Sequence, residues 1–97
     1  MKIPEKIMIG PFTYKVSLVD IVNRGRPELI GEVEHNTNKE IRLQKALDQD
    51  KLESVFIHEL LHCINVFMYL GLSEEQIERL EKALYMVLKQ NNLLRED

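Results

Sequence analysis

The sequence predicts an α+β fold in which a three-stranded, mostly antiparallel sheet is followed by two helices, and three observations lead there. Residues 12–18 alternate apolar and polar, the two-residue period of a half-buried strand. From Asp50 onward the apolar period lengthens to three or four, as on a helix. Two segments, at Asp50 and at Ser73, open in the form of a capping box. Ninety-seven residues suit one compact domain, residues 1–97, with a single core.

In the first half, Phe12, Tyr14, Val16 and Leu18 alternate with Thr13, Lys15 and Ser17. Gly10-Pro11 marks a turn before this strand, which leaves Ile7 to Ile9 as a short partner. A polar loop with Asn23, Gly25 and Pro27 leads to a second strand from about Leu29 to Glu34. The turn formers from His35 to Lys39 separate it from a third, Glu40 to Gln44, where Ile41 and Leu43 alternate with Arg42. The reading is a meander. If its last strand, Glu40 to Gln44, were an exposed edge, it could pair with an extended substrate.

In the second half, Asp50-Lys51-Leu52-Glu53 reads as the box that opens the central helix. Leu52, Val55, Phe56, Cys63, Val66, Phe67 and Leu70 line one face, and Ile57, Leu60, Leu61, Ile64 and Met68 widen it almost all round. What is left is a polar seam of Ser54, His58, His62, Asn65 and Tyr69. Each polar group buried along it needs a partner, and a metal ion supplies one. Gly71 is suited to a left-handed helix end. Ser73-Glu74-Glu75-Gln76 opens the last helix with Leu72 and Ile77 as its hydrophobic staple. That helix carries Ile77, Leu80, Leu84, Val87 and Leu88 on its inner face to about Gln90, and the tail from Asn91 to Asp97 is expected to fray.

Composition narrows the function. With 44% hydrophobic and 30% charged residues, a net charge of −3 and no basic block, nothing recommends nucleic acid as a partner. Met1-Lys2-Ile3-Pro4-Glu5-Lys6 lacks the apolar run of a signal peptide, and His58, Glu59, His62 and Asn65 interrupt the longest apolar region, so no membrane association is expected. A cytoplasmic protein is the expectation. The single cysteine, Cys63, forms no internal disulfide, fits a reducing compartment and reads as an inert buried thiol.

The chemistry rests on His58-Glu59-Leu60-Leu61-His62, the HExxH pattern of zinc metallopeptidases. Four residues are just over one helical turn, so both histidines project from one face as ligands of one zinc ion, Zn2+, while Glu59 is set to work on a zinc-bound water. A shuffled chain of this composition gives the pattern with a chance of roughly 1%. Helical context therefore carries the rest. A catalytic zinc wants a third protein ligand. The metzincin continuation would place a glycine and a third histidine downstream, but Cys63-Ile64-Asn65-Val66-Phe67-Met68-Tyr69 follows, and His35 lies far upstream. The last helix offers carboxylates instead. Glu74 reads as a partner of the helix dipole and Glu75 points furthest from the apolar face. Glu78 and Glu81 compete, and spacing alone leans to Glu81.

Ile57-His58-Glu59-Leu60-Leu61-His62, with Leu72-Ser73-Glu74-Glu75, Ile77-Glu78-Arg79-Leu80, Ala83-Leu84-Tyr85 and Val87-Leu88 behind it, resembles small phage and prophage zincin-like metallopeptidases. These are akin to ImmA/IrrE-type and minimal gluzincins. The likeness covers most of the chain, including Lys2-Ile3-Pro4 and Ile9-Gly10, and HExxH is its specific motif. It implies a zincin-like fold and a third ligand that is a glutamate followed three residues later by a small residue, a position that falls on Glu78. Here the small residue is replaced by Glu81 and the next position is Lys82, a departure that touches the groups around the ligand.

The function expected is that of a zinc metalloendopeptidase acting on a peptide or protein, and the resemblance implies a regulatory one of phage or prophage type. Glu59 is the catalytic base, with His58, His62 and Glu78 on the metal. Tyr69, Tyr85 and His35 are candidate donors to an oxyanion, each also readable as structural. The alternative is a catalytically inactive, zinc-stabilised binding or regulatory module.

Overall fold

The computed structural model describes residues 1–95 and has an α+β architecture, with strands β1 (Lys6–Ile9), β2 (Phe12–Val19), β3 (Gly31–Glu34) and β4 (Glu40–Gln44) followed by helices α1 (Gln49–Met68) and α2 (Glu74–Gln90). The strands form one mixed sheet in the order β1-β2-β4-β3. Hairpins join β1 to β2 and β3 to β4 in antiparallel register, with Ile9 opposite Phe12 and Glu34 opposite Glu40. Between the hairpins, β2 and β4 run parallel, from Lys15 beside Glu40 to Val19 beside Gln44.

The expected three-stranded meander is thus corrected to a four-stranded mixed sheet. The short segment before Gly10 is a full strand, and β4 rather than β3 lies beside β2. Burial accounts for the insertion: Ile41 and Leu43 on β4 are completely shielded, which a central strand achieves and an edge does not. A connection of the length between β2 and β4 permits the parallel pairing. With β4 sandwiched between two neighbours, the idea that it pairs with substrate falls.

The sheet has one dry face. Tyr14, Val16, Ile41 and Leu43 point into a core completed by Leu52, Val55, Phe56 and Cys63 of α1. The opposite face is polar: Arg42 bonds to Glu32 and Glu40, Ser17 donates to Glu40 at 2.7 Å, and Asn23 donates to Glu32 at 2.9 Å. Two glycines let α1 lie close to the sheet. At Gly10, which turns β1 into β2 at φ +57°, a Cβ would stand 2.3 Å from the Phe67 ring. At Gly31 it would stand 2.6 Å from Val55 and 2.8 Å from a carboxylate oxygen of Glu59.

The helix ends differ in detail from expectation. Asp48, not Asp50, caps α1, accepting from Lys51 N–H at 2.9 Å. The helix closes two residues early, at Tyr69 in the left-handed region, because the side chain of Asn65 takes over the chain that follows: its Oδ1 accepts from Leu72 N–H at 2.9 Å and its Nδ2 donates to Leu72 C=O at 3.2 Å. Gly71 has positive φ as well, within that link. The capping box of α2 at Ser73 and Gln76 is formed with both its bonds. The tail turns once through Asn91 to Leu94, and Glu96 and Asp97, counted with it above, lie outside the described residues.

Freed from capping, Glu53 is 1% exposed and anchors α2. It accepts from Tyr85 Oη at 2.8 Å, Gln49 at 3.0 Å, Lys89 at 3.4 Å and the Met1 ammonium at 2.8 Å. Burial alone would raise its pKa, but these donors outweigh it and bring the carboxyl down to about 2. The lowered pKa means that Glu53 stabilises the fold fully above pH 4.5 and loses that contribution as pH falls toward 2. Glu53→Gln is expected to cost about 3 kcal/mol at pH 7, and its denaturant midpoint should converge on that of the unaltered chain between pH 4 and pH 2.

Candidate metal centre

The polar seam of α1 is met group by group by α2 and the link before it. Ser54 donates to Glu81, His58 reaches both Glu81 and Glu74, His62 reaches Glu74, and Asn65 clasps Leu72. Tyr69, the last member expected on the seam, is 93% exposed and takes no part. This placement follows from antiparallel return of α2 along α1, with the Asn65 clasp fixing where α2 begins.

At the centre, the Glu74 carboxylate bridges the two imidazoles, one oxygen 2.8 Å from His58 Nε2 and the other 2.9 Å from His62 Nε2. The rings lie 4.9 Å apart and are inclined at 62°. The Nδ1 of His58 faces Glu81 at 2.9 Å. Neutral imidazole carries one N–H, so carboxylates at both nitrogens of His58 call for either the imidazolium or a cation in place of the Nε2 proton. Burial disfavours charge on His58, but the hydrogen bond with Glu81 and the negative charges of Glu59, Glu74 and Glu81 outweigh it and raise the pKa.

This donor set fits a metal ion. One atom each from His58, His62 and Glu74 lie within 4.8 Å of one another. Glu74, the exposed member of the three, has room to shift its carboxylate around a shared ion. Glu81, buried and held by Ser54, orients His58 through Nδ1, the arrangement that fixes the tautomer of a metal-binding histidine.

The carboxylate brought to both histidines is therefore Glu74, not Glu78. Glu78 shares the wall of a cleft of about 340 Å³ with His58, Glu59, Glu74, Glu81 and Lys82, but among the described residues the ion pairs of the two histidines are with Glu74 and Glu81, and Glu81 contacts a histidine only on its far nitrogen. Glu74 passed for a dipole partner in the sequence because its exposed place in the first turn suits that role equally well. Asn65, three residues after His62 on the seam, was the available signal that the next helix begins beside the histidines.

Glu59 is 6% exposed and tucked beneath β3, against the space that Gly31 leaves open. Burial, with lesser repulsion from Glu74, Glu32 and Glu81, pushes its carboxyl up to about 7 against the opposing pull of His58. A second cleft, of about 470 Å³, is walled by Gly31, Glu32 and Val33 of β3, by His35, and by His58, Glu59, His62 and Glu74. The sheet edge β3 thus runs along the site. Comparison of the chain with protein-family models, curated proteins and solved structures gave no match in any of the three.

A folded-state pKa above the unfolded one makes Glu59 bind its proton in the native state, so its burial erodes stability as pH rises from 4.5 to about 7. In chelator, Glu59→Gln is expected to unfold at a higher temperature than the unaltered chain at pH 8, with the gain vanishing near pH 4.5; equal thermal midpoints at pH 8 would contradict this.

Proposed function

We propose that this chain is a zinc-dependent metallopeptidase that hydrolyses peptide bonds, with His58, His62 and Glu74 as metal ligands and Glu59 as general base. The observation that carries this reading is the convergence of three ligand atoms beside a separate, buried carboxylate on a cleft. Among the described residues no helix is long and apolar enough to cross a membrane. A zinc ion bound there supplies the Lewis acidity that makes water nucleophilic near neutral pH and polarises a carbonyl.

The residues then divide the work. Glu59, its carboxyl pushed up to about 7, takes the proton from the attacking water as the C–O bond forms and hands it to the amine nitrogen as the C–N bond breaks. Its removal from solvent favours proton transfer over competing hydration. Glu81 keeps the His58 ring turned with Nε2 toward the metal. The substrate is an extended peptide laid against the β3 edge, where backbone hydrogen bonds hold it irrespective of sequence.

The test combines metal content with hydrolysis of an unstructured protein such as denatured casein. Glu59→Gln should retain zinc and lose about 1,000-fold in rate. Zinc affinity should fall more than about 100-fold in His62→Ala and in Glu74→Ala, about 10- to 100-fold in Glu81→Gln, and stay unchanged in Glu78→Ala. Loss of zinc binding in Glu78→Ala with Glu74→Ala intact would reverse the ligand assignment. Zinc retention with no hydrolysis would leave a metal-stabilised module in place of an enzyme.

A further inference from the structure

The geometry points to His35 as a catalytic residue, an Nε2–H donor held in the cleft to bind the carbonyl oxygen of the scissile peptide as it gains negative charge. The inference rests on the peptidase reading above. Of three donors open in the sequence, two are removed by their positions: Tyr69 faces solvent beyond the end of α1, and the Tyr85 hydroxyl is committed to Glu53. His35 follows β3 directly and shares a cleft wall with His58, Glu59, His62 and Glu74.

The ring is held on its far side. Tyr14, buried in the core of the sheet, has its hydroxyl 3.1 Å from His35 Nδ1, with the two rings edge to face at 6.0 Å. The phenol keeps its proton, burial raising its pKa with smaller contributions from Cys63 and Glu34, and that proton can be donated to Nδ1. Donation there leaves the imidazole hydrogen on Nε2, the tautomer the proposal requires.

The turn that carries His35 is fixed as firmly. The Glu34 carboxylate accepts backbone N–H groups of Asn38 at 2.7 Å, Thr37 at 3.1 Å and Asn36 at 2.8 Å, while Lys39 Nζ donates to His35 C=O at 3.2 Å. Lys39 is pinned in turn over the Phe12 ring, 4.9 Å from its centre. A donor positioned in advance needs no reorganisation when charge appears on oxygen, which is the requirement for an oxyanion site.

Two measurements test this. By nitrogen NMR of the intact protein at pH 7, His35 should be the Nε2–H tautomer and should lose that preference in Tyr14→Phe; a predominant Nδ1–H form overturns the proposal irrespective of any activity. In casein hydrolysis, His35→Ala should lower kcat about 100-fold with KM changed less than about threefold, and His35→Gln, whose amide N–H reaches a similar point, should recover about tenfold. Zinc affinity should match that of the unaltered chain in both variants. Unchanged kcat, a loss confined to KM, or loss of zinc would each overturn the role, the last by making His35 a ligand. If the unaltered chain binds zinc and cleaves nothing, the peptidase reading fails and takes this role with it, whereas cleavage undisturbed in His35→Ala removes the role alone.

Discussion

The polar seam of α1 is the constraint on which the rest of the molecule depends. Ser54, His58, His62 and Asn65 lie along a helix whose other faces pack on the sheet or carry aliphatic side chains, so the second helix must bring partners to them. The effect is visible in how α2 is turned. Its inward line is Ile77, Glu81, Tyr85 and Leu88, and the more apolar line expected there, Leu80, Leu84 and Val87, is left 44%, 42% and 46% exposed. Half-exposing three aliphatic side chains forfeits about 1 kcal/mol each. Orphaning buried Glu53 and half-buried Ser54 and His58 would cost up to about 1–3 kcal/mol apiece, and more where charge is involved. Polar satisfaction wins the competition, and apolar patterning gives way.

Both ends of the helix pair are fixed by groups remote from the histidines. Glu53 gathers Tyr85 and Lys89 toward one end of α1, and Asn65 clasps Leu72 toward the other. Between these two anchors the site can carry groups that are poorly accommodated. Glu59 is buried among other carboxylates with its pKa raised, and His58 is asked to satisfy acids at both nitrogens. Under the proposed function, such local conflict suits a site that would hold a cation and move a proton.

How much of this could be read in the sequence depended on whether the signal was local. The strand Glu40–Gln44, the capping box at Ser73 and the two-histidine face of the central helix are set by spacing within a few residues, and the structure has all three. Which strand lies beside which is not local: alternation tells that Ile41 and Leu43 face a core, not that β4 slips between β2 and β3. The same limit misplaced Glu53, whose sequence neighbours suit a capping box while its partners lie 32 and 36 residues away. Nor is it local that Glu74 meets both histidines: its place in the first turn suits the helix dipole, spacing leans to Glu81 and the family resemblance to Glu78, and none of these signals carries where α2 starts against α1.

The strand order also decides what the cleft contains. β3 brings three things to α1 together: an outer backbone edge, the missing side chain at Gly31 that admits Glu59, and His35 at its end. In a simple meander β3 would be interior and β4 would form the edge. The residue of β4 in register with Gly31 is Leu43, whose side chain points into the core, and its neighbours offer no glycine. An edge built from β4 would press a leucine where Glu59 now lies and would carry the following turn away from the histidines. The parallel insertion of β4 therefore does two jobs with one topology, shielding the strand whose apolar side chains are most deeply buried and leaving at the rim the strand whose residues suit the site.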